Sequence, residues 1–446
     1  MVMQAVWPLL TTQAPDSVSV FRIDNAPMGS DTFDRQLQRL ASPLAMLLGI
    51  FLLTSTALTN ICMLLLVCLS LWAWTRFQWP AGEWTLVKPL FVLIGLFCAW
   101  DLAMNLLGGN SLTESLQALR HVRKFMFVLL LWPLFAIAKV SRHALLSLGA
   151  TVCVLSAANL VWTLALHHDD MMASFMPNMH GQMLVGMVFL LIHAAIYQAR
   201  WRLPLAAAAL LLLASLFFGS TRRTGYVLLA VGSLLLIVLA VQHQTRPRRW
   251  VYLLLGFAAL ASLLLLAGLS PKVQTRVALF FTEYQQFFDM TPEQRSQLDT
   301  SVGLRLQYFV SSWAIVQDHF WLGVGSLNFK PLFWEVNHAM GATNPVIFAP
   351  NPHNEYLYMW TTKGLVGLLL YLGIFVQACR IAARRSEDWQ RHGLWLLVCL
   401  FLTSILFNSM SIDMVEGHFM MLVLLVFLAP ARIWSADQNK GSAAAC

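Results

Sequence analysis

Long apolar runs recur along nearly the whole chain, and they constrain its fold more than any other feature. Segments 42–57, 59–76, 86–107, 123–139, 143–166, 180–199, 203–219, 224–242, 249–269, 354–379, 393–411 and 417–434 are each strongly apolar. A helix needs about 20 such residues to cross a bilayer core, so these read as about twelve spans. The first two are short and split by Ser55-Thr56 and Thr59-Asn60, which predicts a tight hairpin. The composition fits: 58% of residues are hydrophobic and 11% charged, against roughly 25% charged in a soluble domain. The expected fold is an all-α polytopic membrane protein with about 12 transmembrane helices.

The net charge of +8 is scattered between the apolar runs, which argues for topology control and against nucleic-acid binding. Alternate loops carry the basic residues: Arg76 and Lys88, Lys139 and Arg142, Arg200 and Arg202, Arg246, Arg248 and Arg249, then Arg380, Arg384, Arg385 and Arg391. These loops are assigned inside, with both termini. Residues 1–40 are polar and lack the basic stretch and cleavage site of a signal peptide. No CxxC occurs among the seven cysteines, so neither a disulfide framework nor a thiolate metal site is indicated.

Cations that fall outside against this bias point to an anionic ligand, and the planar fork of arginine suits phosphate oxygens. Arg222 and Arg223 lie in a compact Gly219-Ser220-Thr221-Arg222-Arg223-Thr224-Gly225 turn. Arg305 lies in the long outer loop at 270–353. Arg120, Arg123 and Lys124 form a third outward set, read as secondary anion contacts or as partners of lipid head groups and helix-end carbonyls. The loop also holds two amphipathic stripes, Val273 to Phe288 and Leu306 to Phe320, read as interfacial helices with packing surfaces. Gly323-Val324-Gly325 follows a helix and lacks a third glycine, so it reads as a chain reversal and not a nucleotide site.

At the end of that loop, Asn351 and Pro352 suit the N-cap and first position of a helix, which places His353 in the first turn. The positive end of a helix disfavours imidazolium, so a neutral histidine able to accept a proton is expected there. His338, in the same loop, competes for that role. His167-His168-Asp169-Asp170 and His180 lack metal-ligand spacing, and no metal or cofactor is expected. Asp413 and Glu416 read as surface groups or supports behind the site.

The string His353-Asn354, nine residues, then Gly364-Leu365-Val366-Gly367 resembles the H-N/S/Q-x9-G-x-x-G/T/Y motif of the bacterial O-antigen ligases. Upstream, Arg305, Trp313, Asp318-His319-Phe320 and Gly323-Val324-Gly325 follow the family's loop in order, with phenylalanine where proline is common. The 219–225 turn is similar to the family's short arginine motif, although an R-x3-L spacing is not cleanly met, which leaves Arg222 and Arg223 as alternatives. The resemblance implies a GT-C-like fold in the Gram-negative inner membrane. The apolar runs and the alternation of basic loops divide the chain into a cytoplasmic tail at 1–41, helices 1–9 at 42–269, a periplasmic loop at 270–353, helices 10–12 at 354–434 and a cytoplasmic tail at 435–446.

The implied reaction moves O-polysaccharide from an undecaprenyl-pyrophosphate-linked glycan donor to a lipid A–core acceptor. Arg222 or Arg223 and Arg305 would meet the pyrophosphate in place of a metal, and His353 would activate the acceptor hydroxyl. Direct displacement would invert the anomeric carbon. O-antigen polymerases and protein O-oligosaccharyltransferases share the domain and differ in acceptor, which is not legible in these residues. A transporter of lipid-linked glycan could also arrange arginines around an anionic lipid. No convincing internal repeat supports it.

Overall fold

A computed structural model describes residues 31–79, 82–165, 181–219, 224–242, 268, 271–295, 300–341, 351–385 and 387–429. All regular secondary structure among these residues is helical. Five helices are long and apolar enough to cross a membrane, running over Arg35–Thr54, Thr56–Trp74, Glu83–Leu107, Lys139–Leu164 and Glu355–Arg384. Four shorter apolar helices, Gln182–Tyr197, Arg202–Phe218, Thr224–Val238 and Met414–Leu428, coincide with further expected spans. The expected ninth span, 249–269, lies almost wholly outside the described residues.

In chain order the amino-terminal helices are α1 (Asp31–Thr54), α2 (Thr56–Trp74), α3 (Glu83–Leu107), α4 (Leu112–Ala118), α5 (Arg123–Leu130), α6 (Trp132–Phe135) and α7 (Ala138–Leu160). The tight connection expected between the first two is a single residue. Ser55 is extended, caps α2 by accepting from the Leu58 N–H, and lets α2 fold onto α1.

The expected fourth span, 123–139, takes a different form. Pro133 has no N–H to continue the ladder, so the stretch divides into α5 and α6. Residues 123–135 reach only about 20 Å at about 1.5 Å per residue, short of a bilayer core.

The next helices are α8 (Gln182–Tyr197), α9 (Arg202–Ala214), α10 (Thr224–Gln242), α11 (Pro271–Asp289), α12 (Pro292–Arg295), α13 (Ser301–Asp318) and α14 (Phe329–Ala339). The chain ends, within the described residues, with α15 (Glu355–Arg384), α16 (Asp388–Ser404) and α17 (Met414–Leu428). Every residue of α17 from Glu416 to Leu428 is buried, as a helix apolar on all sides requires. Around this post α15 packs on α3, α16 on α8 and α10, and α5 on α17 itself. At the end of α15 Arg385 grips Glu83 with two parallel 2.8 Å bonds and also donates to the Leu428 carbonyl, tying α15, α3 and α17 together. Leu203, Leu210, Val154 and Leu64 face outward, where lipid would cover them.

The interfacial helices separate into two kinds. α11 buries Phe287 and exposes Val277, Phe280, Phe281, Tyr284 and Phe288, an uncovered apolar stripe of the kind that suits a membrane surface. The stripe expected to pack inward from α13 does so only in part: Val316 is buried, whereas Val310 and Trp313 are 43% and 46% exposed. The buried side of α13 mixes apolar residues, Tyr308, Ile315 and Val316, with polar ones, Gln307, Ser311 and Ser312, and the polar ones meet polar partners: Ser311 donates to Asn337 Oδ1 at 2.8 Å.

The exposed positions supply a topology test. A single cysteine at Glu335, on α14, should react with an impermeant thiol reagent from the periplasm. One at Arg384, at the end of α15, should react only after the membrane is opened. Equal labelling of the two in intact cells would contradict the inside-outside assignment.

Candidate active site

α15 is broken. Gly364 takes φ 65°, ψ −175°, a conformation open only to glycine, and divides the helix into an outer piece from Glu355 and a longer inner piece. The chain from Phe320 to Gly325 threads into the break and satisfies the backbone groups that it frees. The Val324 and Gly325 N–H groups donate to the Thr361 and Thr362 carbonyls at 2.9 and 2.8 Å. The Leu365 N–H donates to the Phe320 carbonyl at 2.9 Å. The contact is so close that a Cβ on Gly323 would strike the backbone of Lys363 and Gly364. Both glycines of the Gly323-Val324-Gly325 string have positive φ, so the expected reversal is present, and it docks against Gly364.

Beneath the break lies an ion pair whose members were not singled out from the sequence. Lys363 Nζ meets Asp101 Oδ1 of α3 at 2.7 Å, with both side chains fully buried. Ser326 accepts from Lys363 at 2.8 Å and donates to the same Asp101 oxygen at 2.6 Å. The available signal was a lone lysine and a lone aspartate in otherwise apolar runs, which in a membrane mark paired or functional groups.

His353 stands at the outer mouth of the outer piece, with a departure from expectation. The N-cap is Asn354, whose side chain accepts from the Leu357 N–H at 3.0 Å, and Glu355 begins the helix. Asn351 instead accepts from the His353 N–H at 2.9 Å, closing a turn around Pro352. His353 thus precedes the helix and has φ 50°, a left-handed conformation that costs a non-glycine residue about 1–3 kcal/mol.

α13 presents Arg305 and Tyr308, three residues apart and so on one face, toward that histidine. The Tyr308 ring stacks on the imidazole at 5.8 Å and 27°. The His353 pKa is held below the ordinary 6.5, first by burial and then by the Arg305 charge. The neutral histidine expected from the sequence therefore has a cause other than the helix dipole. On the ring's other side Asn408 Oδ1 lies 3.4 Å from Nδ1.

Asn408 belongs to the segment between α16 and α17, which is fastened from two directions. The Glu355 N–H donates to the Ile405 carbonyl at 2.9 Å, and the Glu355 carboxylate accepts from the Ser411 N–H at 3.0 Å. From the opposite side the buried Lys124 donates to the Ser411 and Ile412 carbonyls, both at 2.6 Å. Arg123 lies against Met414 Sδ at 3.5 Å, and Arg120 is exposed on the turn before α5. Of this set, then, Lys124 is occupied by carbonyls of the connection between α16 and α17.

His338, the competing histidine, is exposed near the end of α14 and stacks on Trp334 at 5.1 Å. Arg222, Arg223, His167, His168, Asp169, Asp170 and His180 lie outside the described residues. A separate cavity of about 690 Å3 lies between α3, α14 and the 318–324 turn. Asp318, His319, Trp321, Asn328 and Glu335 line it together with apolar residues, and among the described residues no lysine or arginine does.

Residues 207–372 match the family model described as O-antigen ligase. This segment belongs to the O-antigen ligase family. No curated protein matches the chain. The O-antigen ligase segment holds Arg305, Tyr308, the docked glycine turn, His353 and the break at Gly364, and ends before Asn408 and Glu416. The supports behind the imidazole thus come from outside the O-antigen ligase match, on the last two helices.

Proposed function

We propose that the protein is an O-antigen ligase transferring O-polysaccharide from undecaprenyl pyrophosphate to lipid A–core at the periplasmic face of a Gram-negative inner membrane, on a GT-C-like helical frame. The observation that carries this reading is the pairing of a neutral, half-buried histidine with an arginine on the adjoining helix, inside a segment of that family. His353 removes the proton from the acceptor hydroxyl as the oxygen attacks the anomeric carbon. Arg305, with Arg222 or Arg223, binds the pyrophosphate and meets the charge that develops as it leaves. Attack opposite the leaving group inverts the anomeric centre, and fixed cations serve where other phosphate chemistries use a metal.

The test is purified protein mixed with lipid-linked glycan and core lipid, read by a gel shift of the product and repeated with EDTA. Transfer should persist under chelation and need no ion gradient. Glycan extension without core lipid would assign a polymerase, and absence of any transfer would favour transport. Arg305→Lys keeps the charge and loses the bidentate fork, so transfer should fall at least about tenfold. Near-parental transfer by that variant would remove Arg305 from the phosphate site.

A further inference from the structure

An imidazole accepts a proton only through the ring nitrogen that lacks one, and the groups behind His353 select which nitrogen that is. Asn408 faces Nδ1 through Oδ1 at 3.4 Å. The amide nitrogen of Asn408 donates to Glu416 Oε2 at 2.8 Å and lies 3.4 Å from Asp413 Oδ2. Turning the amide over would press its carbonyl against those two acids and aim its N–H groups at the histidine, so the hydrogen-bond network assigns the orientation. Even with one of the two carboxyls protonated, an acceptor oxygen still faces the amide.

A side-chain carbonyl can only accept, so the atom opposite it must be an N–H. We infer that Asn408, aimed by Glu416 and Asp413, is a positioning residue that holds His353 in the Nδ1–H tautomer and makes Nε2 the proton acceptor in glycosyl transfer. The inference rests on the reading of His353 as the base.

The surroundings keep the ring in that setting. Tyr308 covers one face of the imidazole, and rotating the ring by half a turn would replace the Nδ1–H with a carbon opposite Asn408. Asn408 itself cannot drift, because its segment is fixed by Glu355 and by Lys124. Glu416 is buried on α17, which is buried on all sides from Glu416 to Leu428.

In the transfer step the acceptor O–H bond breaks and its proton passes to Nε2. The oxygen forms the new bond to the anomeric carbon, whose bond to the pyrophosphate oxygen breaks with the electron pair on the leaving group. The imidazolium so formed keeps its Nδ1–H on Asn408, and the acids behind the amide polarise it toward the new charge. The same logic operates in the Cys-His-Asn arrangement of papain-like proteases.

The experiment uses the full chain in lipid nanodiscs with 15N-labelled histidine, the His353 signals being identified by their loss in His353→Gln. At pH 7.5 the Nδ1 signal should be that of a protonated ring nitrogen and the Nε2 signal that of an unprotonated one. Asn408→Leu should give a mixed or reversed tautomer and lose about 10–100-fold in single-turnover transfer, with donor binding retained. Glu416→Leu, which frees the amide, should move both readouts in the same direction.

Parental Nε2–H in His353, or parental turnover in Asn408→Leu, overturns the inference while leaving the base reading intact. Normal turnover in His353→Ala overturns both. The spectrum of the parent protein decides the tautomer even if the variants do not fold.

Discussion

His353→Ala is expected to bind the lipid-linked donor nearly as the parent protein does and to lose about 10²–10⁴-fold in single-turnover transfer. A proton acceptor works in the transition state, so its loss appears in turnover and not in the affinity for a donor that it does not hold. His338→Ala, measured beside it, is expected to keep turnover, because the described ring contact of His338 is with Trp334 on its own helix. Retained turnover in the first variant with loss in the second would transfer the role to His338.

The pH profile gives an independent check on the same residue. Burial and Arg305 both disfavour imidazolium at His353, which places its pKa below 6.5. The base form is therefore the one present at neutral pH. Transfer should be flat around pH 7–8 and should fall about tenfold per unit once the pH drops below that lowered pKa. In Arg305→Lys a cation remains, so the limb should stay on the acid side of 6.5 even as the plateau falls. A limb above the ordinary histidine value would mean that a different group carries the proton.

How much of this was legible in the sequence depends on the distance between the partners. His353, Arg305 and the glycine pairs stand in one loop and the helix that follows it, and their order along the chain was enough to bring them to notice. The capping at the helix mouth was misplaced by three residues, since Asn351-Pro352 and Asn354-Glu355 are both acceptable starts. The second won because its side chain reaches the Leu357 N–H.

Partners far apart in the chain left nothing local that names the other. Asp101 and Lys363 are each conspicuous as lone charges but sit on different helices, His353 precedes α15 while Glu416 lies on α17, and no periodicity links either pair. The buried side of α13 was only partly legible: Val316 packs inward as its spacing suggests, but Gln307 and Ser311 are buried as well, because Asn337, which they meet, comes from another helix. Lys124 gave no sign of its partners either, since the Ser411 and Ile412 carbonyls belong to a segment near the other end of the chain.

Gly364→Ala is expected to be the most damaging of the conservative changes outside the base itself. Two effects add. Alanine at φ 65°, ψ −175° carries backbone strain of about 1–3 kcal/mol, and its Cβ would collide with the Trp321 carbonyl and the Leu322 nitrogen of the docked turn. Relief can come only by withdrawing that turn, which breaks the bonds from Val324 and Gly325 to the outer piece of α15 and disturbs Ser326 over the Asp101–Lys363 pair. Removing one partner of a fully buried ion pair altogether costs about 3–5 kcal/mol, which bounds what a disturbed Ser326 can add to the loss.

The outer piece of α15 leads directly to His353, and a displacement of about 1 Å at a reacting group can cost about 10²-fold. Gly364→Ala should therefore lower the thermal transition in detergent by several degrees and reduce single-turnover transfer by at least about 10²-fold. Gly373→Ala, on the regular inner piece, where an added Cβ meets only the Leu93 side chain at 3.5 Å, should do neither. If Gly364→Ala matched Gly373→Ala in both measurements, the break would not be what aims the histidine, and the docked turn would be packing without consequence for transfer.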